Sequence, residues 1–429
     1  MADIELYPTK KSLQGEMVVP GDKSISHRSV IFASLAEGTS HIRNFLTGED
    51  CLRTVEAFRL MGVHIDQHGS DLAIHGRGIA HLKEPVSPIY FGNSGTTARL
   101  MSGVLAGLPL FTTAFGDESL SKRPMDRVVI PLKKMGAEIS GRDHDSLLPL
   151  SFKGKKLKGD IHELKVKSAQ VKSALLLAGM LAEGETKVIE MGETRNHTEM
   201  LLPEFGVEVN VEGRMVTIKG GQQPSGADLK VPGDISSAAF FIVASSITPG
   251  SEMIIRDVGL NPTRDGVIRA MERMGADIST HIHTYIGQEP VGDIHIRAGS
   301  LRGVTLEGDL IPNVIDEIPI LALAATQAEG TTVIKDAEEL RHKETDRIHA
   351  VVQTLTALGA KVEALKDGMV IHGKTELTGG SIHSYGDHRI GMMGAVASLI
   401  CQNPVTILDK DCISISYPSF FQHLNEALK

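Results

Sequence analysis

Cations and small polar residues crowd the starts of several apolar segments in this chain, where they are placed to hold an anion. GDKSISHR (Gly21 to Arg28) supplies Lys23, Ser24 and Arg28, and GNSGTTAR (Gly92 to Arg99) supplies Gly95, exposed backbone and Arg99. SLSKRP (Ser119 to Pro124) carries Arg123, and Ser168 and Gln170 precede a run of leucines. LRHKETDR (Leu340 to Arg347) packs His342, Lys343, Glu344, Asp346 and Arg347 together, so that cations on both sides of Glu344 tune its proton affinity. Asp316 and Glu317 stand just before a wholly apolar segment, and Asp387-His388-Arg389 adds another cation. If these segments are helices, their unpaired N–H groups and positive dipole ends favour anions. A carboxylate at the same place either caps the helix or serves as a general base.

Each motif alone has a plain reading as a capped turn, a solvated loop arginine or a charged helix face. GDKSISHR is not a nucleotide-binding phosphate loop, because the spacing from Gly15 to Gly21 is wrong and Asp22 intervenes before Lys23. Their shared setting is what unites them. VVPGDKSISHRSVIFASLAEGTSHIRN (from Val18), IYFGNSGTTARLMSGVLAGLPLFTT (from Ile89) and LKVKSAQVKSALLLAGMLAEGETKVIE (from Leu164) follow one plan. So do LKVPGDISSAAFFIVASSITPGSEMIIRD (from Leu229), LIPNVIDEIPILALAATQAEGTTVIKD (from Leu310) and HSYGDHRIGMMGAVASLICQNPVTILD (from His383). Each reads as a short extended segment, a polar loop, an apolar helix, a break and a β-branched strand. A repeat needed only for folding has no use for such varied loops.

A second amphipathic helix follows in each copy, with Thr54, Asp126, Thr198, Asp265 or Asp346 at the expected N-cap and a glycine at the C′ position. A hairpin comes next, so the unit is βαβαββ. The sixth copy stops after SFFQHLNEALK, while the first seventeen residues lack a partner, so the N-terminal segment is expected to complete the last unit's sheet. The class is α/β, with two similar domains of three units each. Residues 1–20 plus 229–429 form one domain and 21–228 are inserted into it, the boundary falling in the turn-rich GGQQPSGAD. Two chain crossings between the domains would serve as hinges for closure around a ligand.

A net charge of −9, with 12 Phe, 5 Tyr and no Trp, opposes a nucleic-acid surface of basic patches and stacking rings. Absence of an apolar run of ~20 residues or of a signal-peptide core points to a cytoplasmic protein with no membrane association. Cys51, Cys401 and Cys412 have no CxxC spacing and the 18 histidines no HExxH, so no metal is expected.

PGDKSISHR, GNSGTTARL, KSAQVKSALLLAG, ELRHKETDRI and YGDHRIGM, in this order, make the chain resemble the 5-enolpyruvylshikimate-3-phosphate (EPSP) synthase family of enolpyruvyl transferases. The resemblance implies helix N-termini facing a cleft between the two domains, and transfer of enolpyruvyl from phosphoenolpyruvate to shikimate 3-phosphate by a monomer without cofactor. Lys23, Ser24, Arg28, Ser168, Ala169, Gln170, Arg195, Asp316 and Lys343 would hold shikimate 3-phosphate. Lys23, Gly95, Arg123, Gln170, Arg347 and Arg389 would hold phosphoenolpyruvate. Asp316 and Glu344 would move protons, with Lys23 as a third catalytic residue. The chain departs from many relatives at Ala169, where they carry Ser, and at Ile415, where they carry Lys. The alternatives are the sister transferase acting on UDP-N-acetylglucosamine, whose cysteine is missing from Phe115 to Arg123 here, and a nucleic-acid-end-processing protein of related fold.

Overall fold

The computed structural model describes residues 2–429. The chain folds as two compact units, one of residues up to Pro20 with Pro232–Tyr285 and Pro290–Lys429, the other of Gly21–Val231 with Ile286–Glu289. Among the described residues no helix is long and apolar enough to cross a membrane.

Among the described residues are six small sheets, five of four strands on one pattern and a last of three. In the second copy Ile89–Tyr90 runs parallel to Phe111–Phe115, which pairs antiparallel with Leu147–Lys153, which in turn pairs with Glu138–Gly141. The parallel pair is joined by the Gly95–Gly107 helix, as a parallel crossover requires. The third and fifth copies follow the same order.

Copies one and four exchange their opening strands. Gln14–Val18, which precedes the first copy, lies parallel to Glu252–Gly259 of the fourth, with Met253 opposite Gly15. Leu229–Lys230, which precedes the fourth copy, lies parallel to Glu37–Arg43 of the first, with Leu229 opposite Ile42. This pairing carries the Gly21 unit on to Val231. Of the N-terminal segment, Ile4–Leu6 completes the last sheet antiparallel to Val405–Leu408, whereas Gln14–Val18 goes to the fourth copy.

The first helix of each copy is apolar almost all round and forms the core. Helices Lys23–Leu35, Gly95–Gly107 and Ala169–Leu181 are buried in one hydrophobic cluster, and Ile235–Ile247, Ile318–Thr326 and His388–Ala397 in the other. A Cβ on Gly103 would lie 2.1 Å from the Ala174 carbonyl oxygen, so only glycine lets the Gly95 and Ala169 helices approach this closely. With their apolar bodies buried, these helices keep their polar N-termini as the part free to vary.

The second helices end as the sequence predicts, at Gly62, Gly136, Gly206, Gly275 and Gly359 with positive φ. Their starts differ more. Asp265 and Asp346 occupy N-cap positions, and the Asp346 side chain accepts from the His349 N–H at 3.0 Å. Asp126 is already helical. Thr54 lies inside the Glu49–Leu60 helix and Thr198 inside His197–Leu201, because neighbouring polar side chains claim both hydroxyls.

Candidate active site

In the Gly21 unit the helix N-termini are tied together by polar side chains. Asp22 caps the Lys23 helix by accepting from the Ile25 N–H at 2.8 Å, and Lys23 pairs with Asp50 at the start of the Glu49–Leu60 helix. Arg28 is buried, donating to Thr198 Oγ1 and Ser173 Oγ at 2.7 Å each and to the Ser24 carbonyl at 3.0 Å. Thus Lys23, Ser24 and Arg28 are held in place by residues of four elements.

The second cluster gathers around Gly95. Ser94 caps its helix, and a Cβ on Gly95 would lie 2.7 Å from Arg99 Nη1 and 3.4 Å from Arg123 Nη1. Two guanidiniums therefore stand beside a helix N-terminus, which suits an anion. Arg99 donates to Gln170 Oε1 at 2.7 Å, and Gln170 donates to Thr96 Oγ1 at 3.0 Å. Arg123 is steered by the Asn93 side chain and by Ser119 Oγ at 3.3 Å. Ser168 caps the Ala169 helix, accepting from the Val171 N–H at 3.4 Å, and Ala169 is that helix's first residue. A buried chain joins the two clusters: Thr97 Oγ1 lies 3.3 Å from the Asp50 carbonyl and 2.9 Å from Thr54 Oγ1, which is 2.8 Å from His27 Nδ1.

His27 is fully buried, and burial followed by the nearby charges of Lys23 and Arg28 holds its pKa well below the usual 6.5. The folded protein keeps this ring neutral while the unfolded chain takes up a proton below about pH 6.5. Stability is therefore expected to fall with pH below that value, by up to roughly 1.4 kcal/mol per pH unit from this residue. Urea unfolding of wild type and His27→Asn at about pH 7.5 and about pH 5 checks this: the variant should lose part of the slope, and parallel slopes would assign it to other groups.

Arg195 is half-buried in the loop between Glu190 and His197. The fully buried Lys172 side chain anchors the segments flanking this loop, pairing with Glu190 at 3.0 Å and Glu199 at 2.6 Å.

The other unit builds a different kind of site. Buried Arg347 lies 3.1 Å from Asp316, 2.7 Å from Glu344 and 2.8 Å from Asp387. Burial pulls its pKa down, but Asp387, Glu344 and Asp316 outweigh that and leave it raised. Asp316 also meets Lys343 at 3.4 Å and Arg389 at 4.0 Å. Lys343, expected to flank Glu344, is thus turned toward Asp316. Glu317 is fully buried against Ser236 and 3.7 Å from Arg389, while Arg264 donates to Ser236 Oγ at 2.7 Å. The Asp316 and Glu344 side chains keep 14% and 21% exposure, so both carboxylates remain reachable. Asp387 caps the His388 helix by accepting from the Arg389 N–H at 2.9 Å. Asp316 and Glu317 are not side-chain caps of the Ile318 helix, since its Glu317 N-cap makes no such bond.

The sequence profile of the family described as EPSP synthase (3-phosphoshikimate 1-carboxyvinyltransferase) matches residues 8–424. The chain belongs to the EPSP synthase family. It is 54% identical over 429 residues to the 3-phosphoshikimate 1-carboxyvinyltransferase of Oceanobacillus iheyensis, covering 100% of both chains. Against the Bacillus subtilis enzyme of the same name it is 54% identical over 420 residues, 98% of each chain. A solved structure of EPSP synthase from Acinetobacter baumannii superposes with a TM-score of 0.90 at 44% identity, covering 99% of this chain and 98% of that one. The fold is that of the EPSP synthase family, with two domains built from βαβαββ units.

Ile415 sits at the end of the Lys410–Ile415 turn and packs, partly buried, against the hydrophobic core. Cys51, Cys401 and Cys412 are buried, and burial pushes the Cys401 and Cys412 thiols up to about 11, far from thiolate at neutral pH.

Sequence reasoning missed Asp50, Thr54, Thr97, Ser173 and Thr198. Thr97 and Ser173 lie inside GNSGTTARL and KSAQVKSALLLAG but carry no site assignment there, Thr54 and Thr198 read only as N-caps, Asp50 lies in no motif, and each engages partners distant in the chain.

Proposed function

We propose that this chain transfers the enolpyruvyl group of phosphoenolpyruvate to the 5-hydroxyl of shikimate 3-phosphate, releasing phosphate. Full-length membership of the EPSP synthase family supports the reaction. The observation that carries the mechanism is that two reachable carboxylates, Asp316 and Glu344, share the buried guanidinium of Arg347.

In the addition step Asp316 takes the proton from the 5-hydroxyl, the oxygen bonds to C2 of phosphoenolpyruvate, and Glu344 delivers a proton to the C3 methylene. The product is a tetrahedral intermediate bearing a methyl group. In the elimination step a proton returns from that methyl to Glu344, the C2–C3 double bond re-forms, and the C2–O bond to phosphate breaks. Glu344 enters the addition protonated and regains its proton in the elimination, and the hydroxyl proton held by Asp316 passes to the departing phosphate, which leaves as hydrogen phosphate, so atoms and charges balance with no further reactant. Lys23, already oriented by Asp50, stabilises the departing phosphate.

Both substrates are polyanions, which explains the cation inventory. Lys23, Ser24, Arg28, Ser168, Ala169, Gln170, Arg195, Asp316 and Lys343 are assigned to shikimate 3-phosphate. Lys23, Gly95, Arg123, Gln170, Arg347 and Arg389 are assigned to phosphoenolpyruvate. Arginine suits this work because its planar fork meets carboxylate and phosphate bidentately.

The test is phosphate release from phosphoenolpyruvate with each acceptor in turn. Release with shikimate 3-phosphate and none with UDP-N-acetylglucosamine is expected. The reverse pattern, or no release with either acceptor, would overturn the reading.

A further inference from the structure

We propose that His64, Asp66 and His75 form a surface site for a divalent transition-metal cation of the zinc type, separate from the substrate-binding residues. The three lie on the hairpin of His64–His68 and Asp71–Arg77, where His64 stands opposite His75 and Asp66 is two residues further along the same strand. Strand alternation puts them on one face. Ile65, Leu72 and Ile74 are buried on the other, so the face bearing the histidines is the outward one.

The geometry is that of a chelate. Directly opposed residues on paired strands keep their side chains within reach of one another, and the two rings are stacked with centroids 5.2 Å apart. Asp66 turns one oxygen to each ring, Oδ1 lying 3.3 Å from His64 Nε2 and Oδ2 3.1 Å from His75 Nε2. Ligand atoms about 2.0–2.1 Å from a tetrahedral metal are about 3.3 Å from one another, so these spacings already match the edges of a zinc coordination shell.

A second observation concerns the ring nitrogen that would not bind metal. His75 Nδ1 lies 3.1 Å from Thr39 Oγ1 on the neighbouring strand. Without metal, His75 Nε2–H donates to Asp66 and Nδ1 accepts from the Thr39 hydroxyl, which fixes the ring; with a cation in place of the Nε2 proton, the ring would carry its proton on Nδ1 and donate it to Thr39, as metal-bound histidines do to their outer partners. Two imidazoles and one carboxylate favour zinc, nickel or copper over magnesium or calcium, and water would complete the shell. The cluster of Asp257, His283 and Asp293 is a poorer candidate, because the Arg256 guanidinium already sits on Asp293. No motif spacing announces the hairpin site, since its ligands meet by cross-strand pairing.

Equilibrium dialysis of the full chain against Zn²⁺ at about pH 7.5 tests the site, with His64→Ala, His75→Ala and Thr39→Val alongside wild type. Saturable binding of a single Zn²⁺ by wild type is expected. Either histidine variant should weaken it by at least about 10-fold, and Thr39→Val by roughly 10–100-fold. Melting temperatures without zinc should agree across all four proteins, and phosphate release should be unchanged, because none of these residues is assigned to substrate. Binding that is absent, or equal in wild type and any of the three variants, overturns the proposal.

Discussion

Asp316→Asn and Glu344→Gln are each expected to lower turnover by about 10²-fold or more while the chain stays folded. Both substitutions keep the shape of the side chain and remove only its ability to exchange a proton and its charge. Asp316 is surrounded by Lys343, Arg347 and Arg389, and Glu344 is held by Arg347, so each carboxylate is fixed before substrate arrives. Each amide keeps a hydrogen-bonding oxygen and leaves more net positive charge for two anionic substrates, so kcat should fall far more than KM rises, even at Asp316, which is also assigned to shikimate 3-phosphate. That combination distinguishes proton transfer from substrate binding. Steady-state kinetics with shikimate 3-phosphate and phosphoenolpyruvate read both quantities, and near wild-type kcat in a folded variant removes that residue from the mechanism.

The second large effect is on stability. Lys172→Met should cost about 3–5 kcal/mol, because it leaves Glu190 and Glu199 buried without their cation. Burial already raises the Glu190 pKa, with Lys172 acting against it. In the variant that opposing charge is gone, so the folded state holds its proton more tightly than the unfolded chain does. Stability then falls as pH rises above the ordinary carboxylate value, and the deficit should be smaller at about pH 5 than at about pH 8. Changing all three residues, Lys172→Met with Glu190→Gln and Glu199→Gln, should recover most of the loss, since no charge is then stranded. Urea midpoints of the single and triple variants decide the matter; an unchanged midpoint in Lys172→Met would mean that water reaches this triad.

Local pattern made much of this protein readable. The six apolar helices, the side-chain caps at five of their N-termini and the glycines that end the second helices are signalled by residues within one or two turns of each other. Gly62, Gly136, Gly206, Gly275 and Gly359 illustrate this, each ending a helix with the positive φ that glycine adopts without strain. The placing of Thr54 and Thr198 at N-caps went astray for the opposite reason. A hydroxyl near a helix start caps it only if nothing better is available, and here His27, Thr97, Arg28 and Ser173 supply partners from elsewhere in the fold.

By itself the sequence determined the repeating unit, the family and which helix starts carry charge, because periodicity, caps and motif order are local properties. Only the tertiary structure decided that Gln14–Val18 and Leu229–Lys230 exchange sheets, that Lys23 meets Asp50, that Arg28 meets Ser173, and that Arg347 gathers Asp316, Glu344 and Asp387. A short extended segment or a buried cation can satisfy its hydrogen bonds and charge with many partners. Which one it takes is set by the packing of helices far apart in the chain, and no local pattern records it.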